Sequence, residues 1–172
     1  MTRLGEIEEA IKNAILAIDG TIQGSGYKYV TKTALVNVED ENVIFEHNDF
    51  NDTANAVAYN VEIDEDEENI EVGDGNDIYT NEIDFKITAY VKNTANEEFP
   101  KVAIRERCNE VKEDLKFAIP DNSALALVVN SIDYVRSSRK YDINSDNIRT
   151  ANLEYIVNVN YSQLMTSPDK SC

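Results

Sequence analysis

The run Ile83-Asp84-Phe85-Lys86-Ile87-Thr88-Ala89-Tyr90-Val91 limits what this chain can fold into more than any other feature. Ile83, Phe85, Ile87, Ala89 and Val91 fall on one side of an extended chain, and Asp84, Lys86, Thr88 and Tyr90 on the other. Successive side chains of a strand point to opposite faces, so the spacing predicts a half-buried strand over Tyr79–Asn93. The alternation returns in Ala56–Ile63, through Tyr59, Val61 and Ile63, and in Ile148–Gln163, through Leu153, Tyr155, Val157, Val159 and Tyr161. Strands with one apolar face need another layer to cover it.

Two segments supply that layer. Ile7, Ile11, Ile15 and Ile18 repeat at helical spacing and predict an amphipathic helix over Arg3–Asp19. Thr2 can cap its start, Glu6, Glu8 and Glu9 suit the positive end of its dipole, and Gly20 is expected to stop it. Ile104, Cys108, Val111, Leu115 and Ile119 predict a second helix from Lys101 to Ile119, opened by Pro100 and stopped by Pro120. A turn punctuated by Gly20, Gly24 and Gly26 leads to a predicted strand over Tyr27–Val38. Val43–Glu46 reads as its short continuation and His47–Asn55 as a polar loop. Glu62–Asp77 holds nine acids and no base, and reads as a solvated loop or hairpin tip. Ala124–Val135 reads as a strand, Arg136–Asn147 as a polar connection and 164–172 as a loose tail. The expectation is one α+β domain over residues 1–172. Its mixed, mostly antiparallel sheet is flanked by two amphipathic helices, in the order helix, strands, helix, two strands.

Charge narrows the partners. The chain has 33 acids against 16 bases, a formal net charge of −17. It repels nucleic acid and anionic lipid at long range, so gripping DNA through its phosphates is not expected. The apolar run Ala124–Val129 is far too short to span a bilayer, and the first residues lack the apolar stretch of a secretory signal. Cys108 inside a helix and Cys172 at the last position do not suggest a disulfide framework, which favours a reducing cytoplasm.

Catalysis requires a poised base, nucleophile or metal, and the sequence is poor in all three. His47 is the one histidine, and pairing it with Cys108 would require a core thiol to be exposed and activated. One His and two distant Cys do not make a zinc set. Asp64, Asp66 and Glu68 alternate like calcium ligands, but Asn69 and Gly75 stand where such a loop needs glycine and glutamate. Gly73-Asp74-Gly75-Asn76-Asp77 resembles a single unit of repeats that bind calcium only when stacked. Gly24-Ser25-Gly26 lacks the helix and lysine of a phosphate loop. Lys101, Arg105, Arg107, Lys112 and Lys116 are interleaved with Glu106, Glu110, Glu113 and Asp114, as in a salt-bridged face or polar protein interface. The nine tyrosines, mostly on strands, suit sheet packing or interface anchoring. No catalytic, cofactor or metal residue is assigned. The acids Asp64, Glu65, Asp66, Glu67, Glu68, Glu71, Asp74 and Asp77 are expected to face a partner.

The element order carries a resemblance. A helix (Ile7 to Ile18) precedes strands through Val61, a long loop, and the run Ile78-Tyr79-Thr80 to Val91. The helix Val102 to Ile119 follows, then Leu125-Ala126-Leu127-Val128-Val129 continuing to Tyr134, and finally Leu153-Glu154-Tyr155-Ile156-Val157-Asn158-Val159-Asn160-Tyr161. Over nearly its whole length the chain resembles the tail terminator, or tail-completion, proteins of long-tailed bacteriophages. The resemblance implies a structural virion protein of the neck, assembled in the host cytoplasm. It implies a homo-oligomeric, sixfold ring that caps the tail tube, ends its polymerisation and joins the tail to the head-side connector or stopper protein. A sheath is a further partner where the tail has one, and DNA passes through without specific binding. No membrane is involved and no catalytic residue is carried over. The acidic Glu62–Asp77 segment and the Arg136–Asn147 connection depart from the family's pattern. Another neck ring, of head-closure or adaptor type, and a non-viral acidic protein-binding module remain open. A hydrolase using clustered carboxylates would need a concave site with buried acids.

Overall fold

A computed structural model of the protein describes residues 2–39, 56–64, 69–72, 78–94, 96–120, 122–143 and 147–164. The elements run α1 (Arg3–Leu16), β1 (Val30–Val36), β2 (Ala56–Ile63), β3 (Asn69–Val72), β4 (Ile78–Lys92), α2 (Pro100–Ala118), a one-turn α3 (Ser123–Ala126), β5 (Ser131–Ile143) and β6 (Arg149–Leu164). They form an α+β domain around one open sheet of strand order β1-β2-β4-β6-β5, with β3 pairing β4 beside the path. Among the described residues only the β1–β2 pair is parallel; the others are antiparallel.

Strand parity decides where the core sits. Val57, Tyr59 and Val61 of β2 bury on the same face as Ile83, Phe85, Ile87, Ala89 and Val91 of β4 and Leu153, Tyr155, Val157, Val159 and Tyr161 of β6. Ile7, Ile11 and Ile15 of α1, with Ile18 beyond it, and Ile104, Cys108, Val111 and Leu115 of α2 fill the other side of that core. Full burial of each such aliphatic side chain contributes about 1.5–3 kcal/mol. The opposite sheet face is more polar, with Lys86 meeting Glu62 at 3.1 Å and Asn158 donating to Asp84 at 2.8 Å. A small apolar cluster of Ala58 and Tyr90, joined by Leu35 and Val38, interrupts it.

Local signals place the helix ends. The Thr2 hydroxyl accepts from the Gly5 N–H at 3.1 Å, as expected of a cap. Gly20, however, does not stop α1, which ends at Leu16. Its N–H donates to the Tyr29 carbonyl at 2.9 Å, and a Cβ there would lie 2.9 Å from backbone atoms of Tyr27 and Lys28. Close backbone approach, rather than termination, is what requires glycine here. The free carbonyls at the end of α1 are taken up by β1, where the Thr31 hydroxyl donates to Ile15 O at 2.6 Å and the Thr31 N–H to Ile18 O at 3.0 Å.

Three boundaries differ from the sequence expectation. The strand expected over Tyr27–Val38 starts at Val30, because Lys28 and Tyr29 bond instead to α2. The strand expected over Ala124–Val135 begins at Ser131; Asn122 caps α3 by accepting from the Leu125 N–H at 2.9 Å. The expected connection Arg136–Asn147 is instead mostly the continuation of β5 to Ile143. An edge strand is paired on one side only and tolerates polar side chains, and a register shift at Val135 masks its period. Within the acidic segment, β3 forms four ladder pairs with β4. Val43–Glu46, His47–Asn55 and the tail beyond Leu164, which itself closes β6, lie outside the described residues.

Asp114, buried in α2, ties that helix to the chain entering β1. Its carboxylate accepts from the Lys28 N–H at 3.1 and 3.2 Å and from the Tyr29 N–H at 3.0 Å. Burial pushes its pKa above the ordinary 3.8, and the two backbone donors oppose the shift. Ionisation is therefore less favourable in the fold than in the unfolded chain, and the N–H bonds offset part of that penalty. The nearby Tyr59 hydroxyl is fully buried with no hydrogen-bond partner among the described residues. Asp114→Ala is expected to lower unfolding free energy in urea by about 1–3 kcal/mol, because the buried Tyr29 N–H and the part-buried Lys28 N–H lose their acceptor. Tyr59→Phe is expected to keep or raise stability, since only an unpaired hydroxyl is lost. A neutral Asp114→Ala, or a Tyr59→Phe that destabilises, would contradict this assignment.

Candidate functional site

Of the acids expected to face a partner, Asp64 and Glu71 lie among the described residues. Asp64 follows β2, its N–H donating to Asp84 O at 2.9 Å, and its largely covered carboxylate lies 3.4 Å from the Arg136 guanidinium. Glu71 sits in β3 opposite Thr80. Glu65, Asp66, Glu67, Glu68, Asp74 and Asp77 lie outside the described residues, as do His47 and the glycines of the candidate calcium sequence. Asp64 is thus brought to a base, not to another acid. Among the described residues no three His, Cys, Asp or Glu side chains are grouped to hold a metal ion.

A different surface emerges along α2. In sequence its bases and acids alternate; on the helix four of its five bases gather, while Arg107 lies apart and pairs with Glu97 at 2.9 Å. Lys101, Arg105, Lys112 and Lys116 follow a spacing of four, seven and four, which places them on one stripe, while Glu106, Glu110 and Glu113 follow another. The basic stripe runs beside β5. At one end the Lys112 and Lys116 ammonium groups lie 5.2 and 4.8 Å from the Tyr134 ring centroid. In the middle Arg139 donates to Asn109 at 3.0 Å. At the other end Lys101, Arg105 and Arg149 surround Tyr141 and Ile104 in a cleft of about 360 Å³. On the acidic side Glu110 pairs with Lys28 at 3.8 Å, facing the approach to β1.

Strand parity also segregates β5. Tyr134, Ser137, Arg139, Tyr141 and Ile143 are in register with the helix-facing side of β6, and Asp133 and Asp142 with the opposite side. The groove wall made by β5 therefore carries a base and two tyrosines and no acid. The sequence held this signal in the spacing of four of the five α2 bases. It was obscured by reading their acidic neighbours as partners, and by reading half of β5 as a connection. Exposed Phe99 and Val102 lie on the first turn of α2 and just before it, and Tyr141 and Ile143 close β5.

Nucleophilic chemistry finds little support in the described residues. Burial pushes the Cys108 thiol up to about 11, only partly opposed by Arg139. The Tyr155 phenol is also raised by burial, so neither group is activated. A hollow of about 290 Å³ between the end of α2, α3 and the start of β5 is lined by Ile119, Leu125, Val129 and Ile132, among others. Its asparagines are already engaged, Asn122 capping α3 and Asn130 donating to Asn160 and Ser162. No helix among the described residues is long and apolar enough to cross a membrane.

In a Cys172→Ser variant, Cys108 is expected to react with iodoacetamide at pH 8 at least about 100-fold more slowly in the native protein than in denaturant. A pKa near 11 instead of 9.0 lowers the thiolate fraction by about that factor, and burial slows access further. The native rate should rise about tenfold per pH unit until the thiol ionises or the fold opens. Rapid labelling at pH 7 would contradict the buried thiol. No protein-family model matches the chain, and no curated protein matches it significantly.

Proposed function

We propose that the chain is a structural protein of the head–tail junction of a long-tailed bacteriophage, a tail terminator that forms a ring on the finished tail tube. What supports this reading is the organisation helix, strands, helix, two strands, folded as one sheet with both helices on one face. A mixed sheet flanked by helices is what the family resemblance implies. The chain contributes docking surfaces and carries out no reaction. The ring has six copies, one side seated on the tube and the other offered to the head-side connector.

Two physical features suit the role. The sheet leaves β1 and β5 as edges at opposite ends of its strand order, so each copy has two different flanks. Contacts between unlike surfaces build rings when the rotation closes. The excess of 33 acids over 16 bases favours sliding of a polyanion past the ring over binding to it.

The test is to add purified protein to growing tubes of the cognate tail protein and image the products by electron microscopy. The expected result is a sixfold ring at one tube end and an arrest of lengthening. A protein that stays monomeric and leaves tube growth unchanged would overturn the reading. Density confined to the connector side of an assembled neck would instead favour a head-closure or adaptor ring.

A further inference from the structure

Three bases converge on the cleft between the start of α2 and the end of β5. Lys101 and Arg105 lie one helical turn apart on α2, so their side chains share a side. Arg149, the first residue of β6, faces that helix: it stands opposite Ile143 in the register that sets Tyr141 opposite Ala151. With Ile104 and Tyr141 these bases line a cleft of about 360 Å³ with no acid in its wall among the described residues. Lys101 and Arg149 have no carboxylate at ion-pair distance among the described residues, and Arg105 has only its exposed neighbour Glu106 at 3.9 Å. Three like charges so placed repel one another, and a bound anion would relieve them.

The backbone on both sides of the cleft is held by one buried residue. Asn93 follows β4 and is 2% exposed. Its N–H donates to the Arg149 carbonyl at 2.9 Å, and its side-chain amide donates to the Pro100 carbonyl at 2.8 Å. The start of β6 and the start of α2 are thereby fixed to each other. Only side chains have to be ordered on binding, which keeps its cost down. The positive end of the α2 dipole adds to the field, because Phe99 makes no side-chain cap bond and the first turn holds no acid. Buried Ile104 and half-exposed Tyr141 give the cleft an apolar wall beside its cations.

We infer that this cleft binds a small organic polyanion, a phosphate chain joined to a flat ring, which is the chemistry of a nucleotide. Guanidinium groups take phosphate oxygens two at a time, and the Lys101 ammonium adds a third positive charge. A phosphate chain sets several negative charges on adjacent centres, whereas each carboxylate brings one. The Tyr141 ring offers a face for stacking. The volume suits a small ligand. A nucleic-acid duplex fits less well. Charges act over about 8 Å at physiological salt, so a small anion in the cleft meets the three bases, while a duplex also meets the surplus of 33 acids over 16 bases. This site does not depend on the ring reading above.

The test is calorimetric titration of the full chain with ATP, pyrophosphate, adenosine and a hexaglutamate peptide, in buffer with EDTA so that no divalent metal takes part. ATP is expected to bind one per chain with a Kd of about 1 mM or tighter, and more weakly as salt rises. Pyrophosphate should bind less tightly and adenosine not measurably. Lys101→Gln with Arg105→Gln, and separately Arg149→Gln, should each weaken ATP about tenfold or more. The same charge loss on α1, by Arg3→Gln with Lys12→Gln, should leave it within about twofold. Tyr141→Leu should bring ATP down to the affinity of pyrophosphate and leave pyrophosphate unchanged. Absence of saturable ATP binding, equal weakening by the α1 pair, or an ATP preference that survives Tyr141→Leu would overturn the inference. Hexaglutamate binding more tightly than ATP would overturn it too, and would assign the cleft to an acidic protein partner. A urea midpoint matching wild type is the folding control, and the Lys101 and Arg105 pair, both exposed on α2, decides the matter if Arg149→Gln loses stability.

Discussion

Residues 78–92 of β4 pair with β6 without a break, from Ile78 opposite Leu164 to Lys92 opposite Thr150, and this ladder positions everything else. It fixes which side of both central strands is apolar. A slip of one residue would carry Ile83, Phe85 and Ile87 to the polar face and Asp84 and Lys86 into the core, at a cost no local rearrangement could offset. β2 and β3 use the other edge of β4, and β5 uses the other edge of β6. The helices then have one apolar face to cover, and both lie on it.

The ladder explains how much of the fold could be read from sequence. The strongest alternations, in Ile83–Val91 and Leu153–Tyr161, belong to strands paired on both sides and covered on one face. Such strands need strict alternation, and the structure places them where the pattern did. The isoleucines of α1 and the core stripe of α2 were legible for the same reason. Elements with one neighbour or mixed surroundings were not. β5 is an edge with a bulge, so Arg136, Ser138 and Lys140 cost it little and blur its period. Gly20 looked like a helix stop because that is glycine's common use, while its role depends on backbone atoms of Tyr27 and Lys28 lying within 3 Å of where a Cβ would stand. Asp114 sat among surface acids in the sequence. Only its long-range bonds to Lys28 and Tyr29 mark it as a core residue.

The surface tells a similar story about composition. A net charge of −17 describes the whole chain and hides its division. On α2 the bases Lys101, Arg105, Lys112 and Lys116 look neutralised by nearby glutamates in sequence, but helical geometry turns the two sets to different sides. Glu110 faces the approach to β1, where it pairs with Lys28, and Lys101, Arg105, Lys112 and Lys116 lie beside β5. The acids of Glu62–Asp77 are legible in sequence as a run of charge; the basic stripe of α2 becomes visible only once β5 is in place.

We propose that this domain works by joining neighbours through a flank of its sheet, and β5 is the flank bordered by the basic stripe of α2. Hydrogen–deuterium exchange on the free and the assembled protein measures that most directly. Slower exchange on assembly in Ser131–Ile143 and in the tyrosine-flanked face of α2, with β4 and β6 unchanged, is the predicted pattern. Exchange in β5 that is equally fast in both states, with new protection confined to the polar face of the sheet, would contradict it.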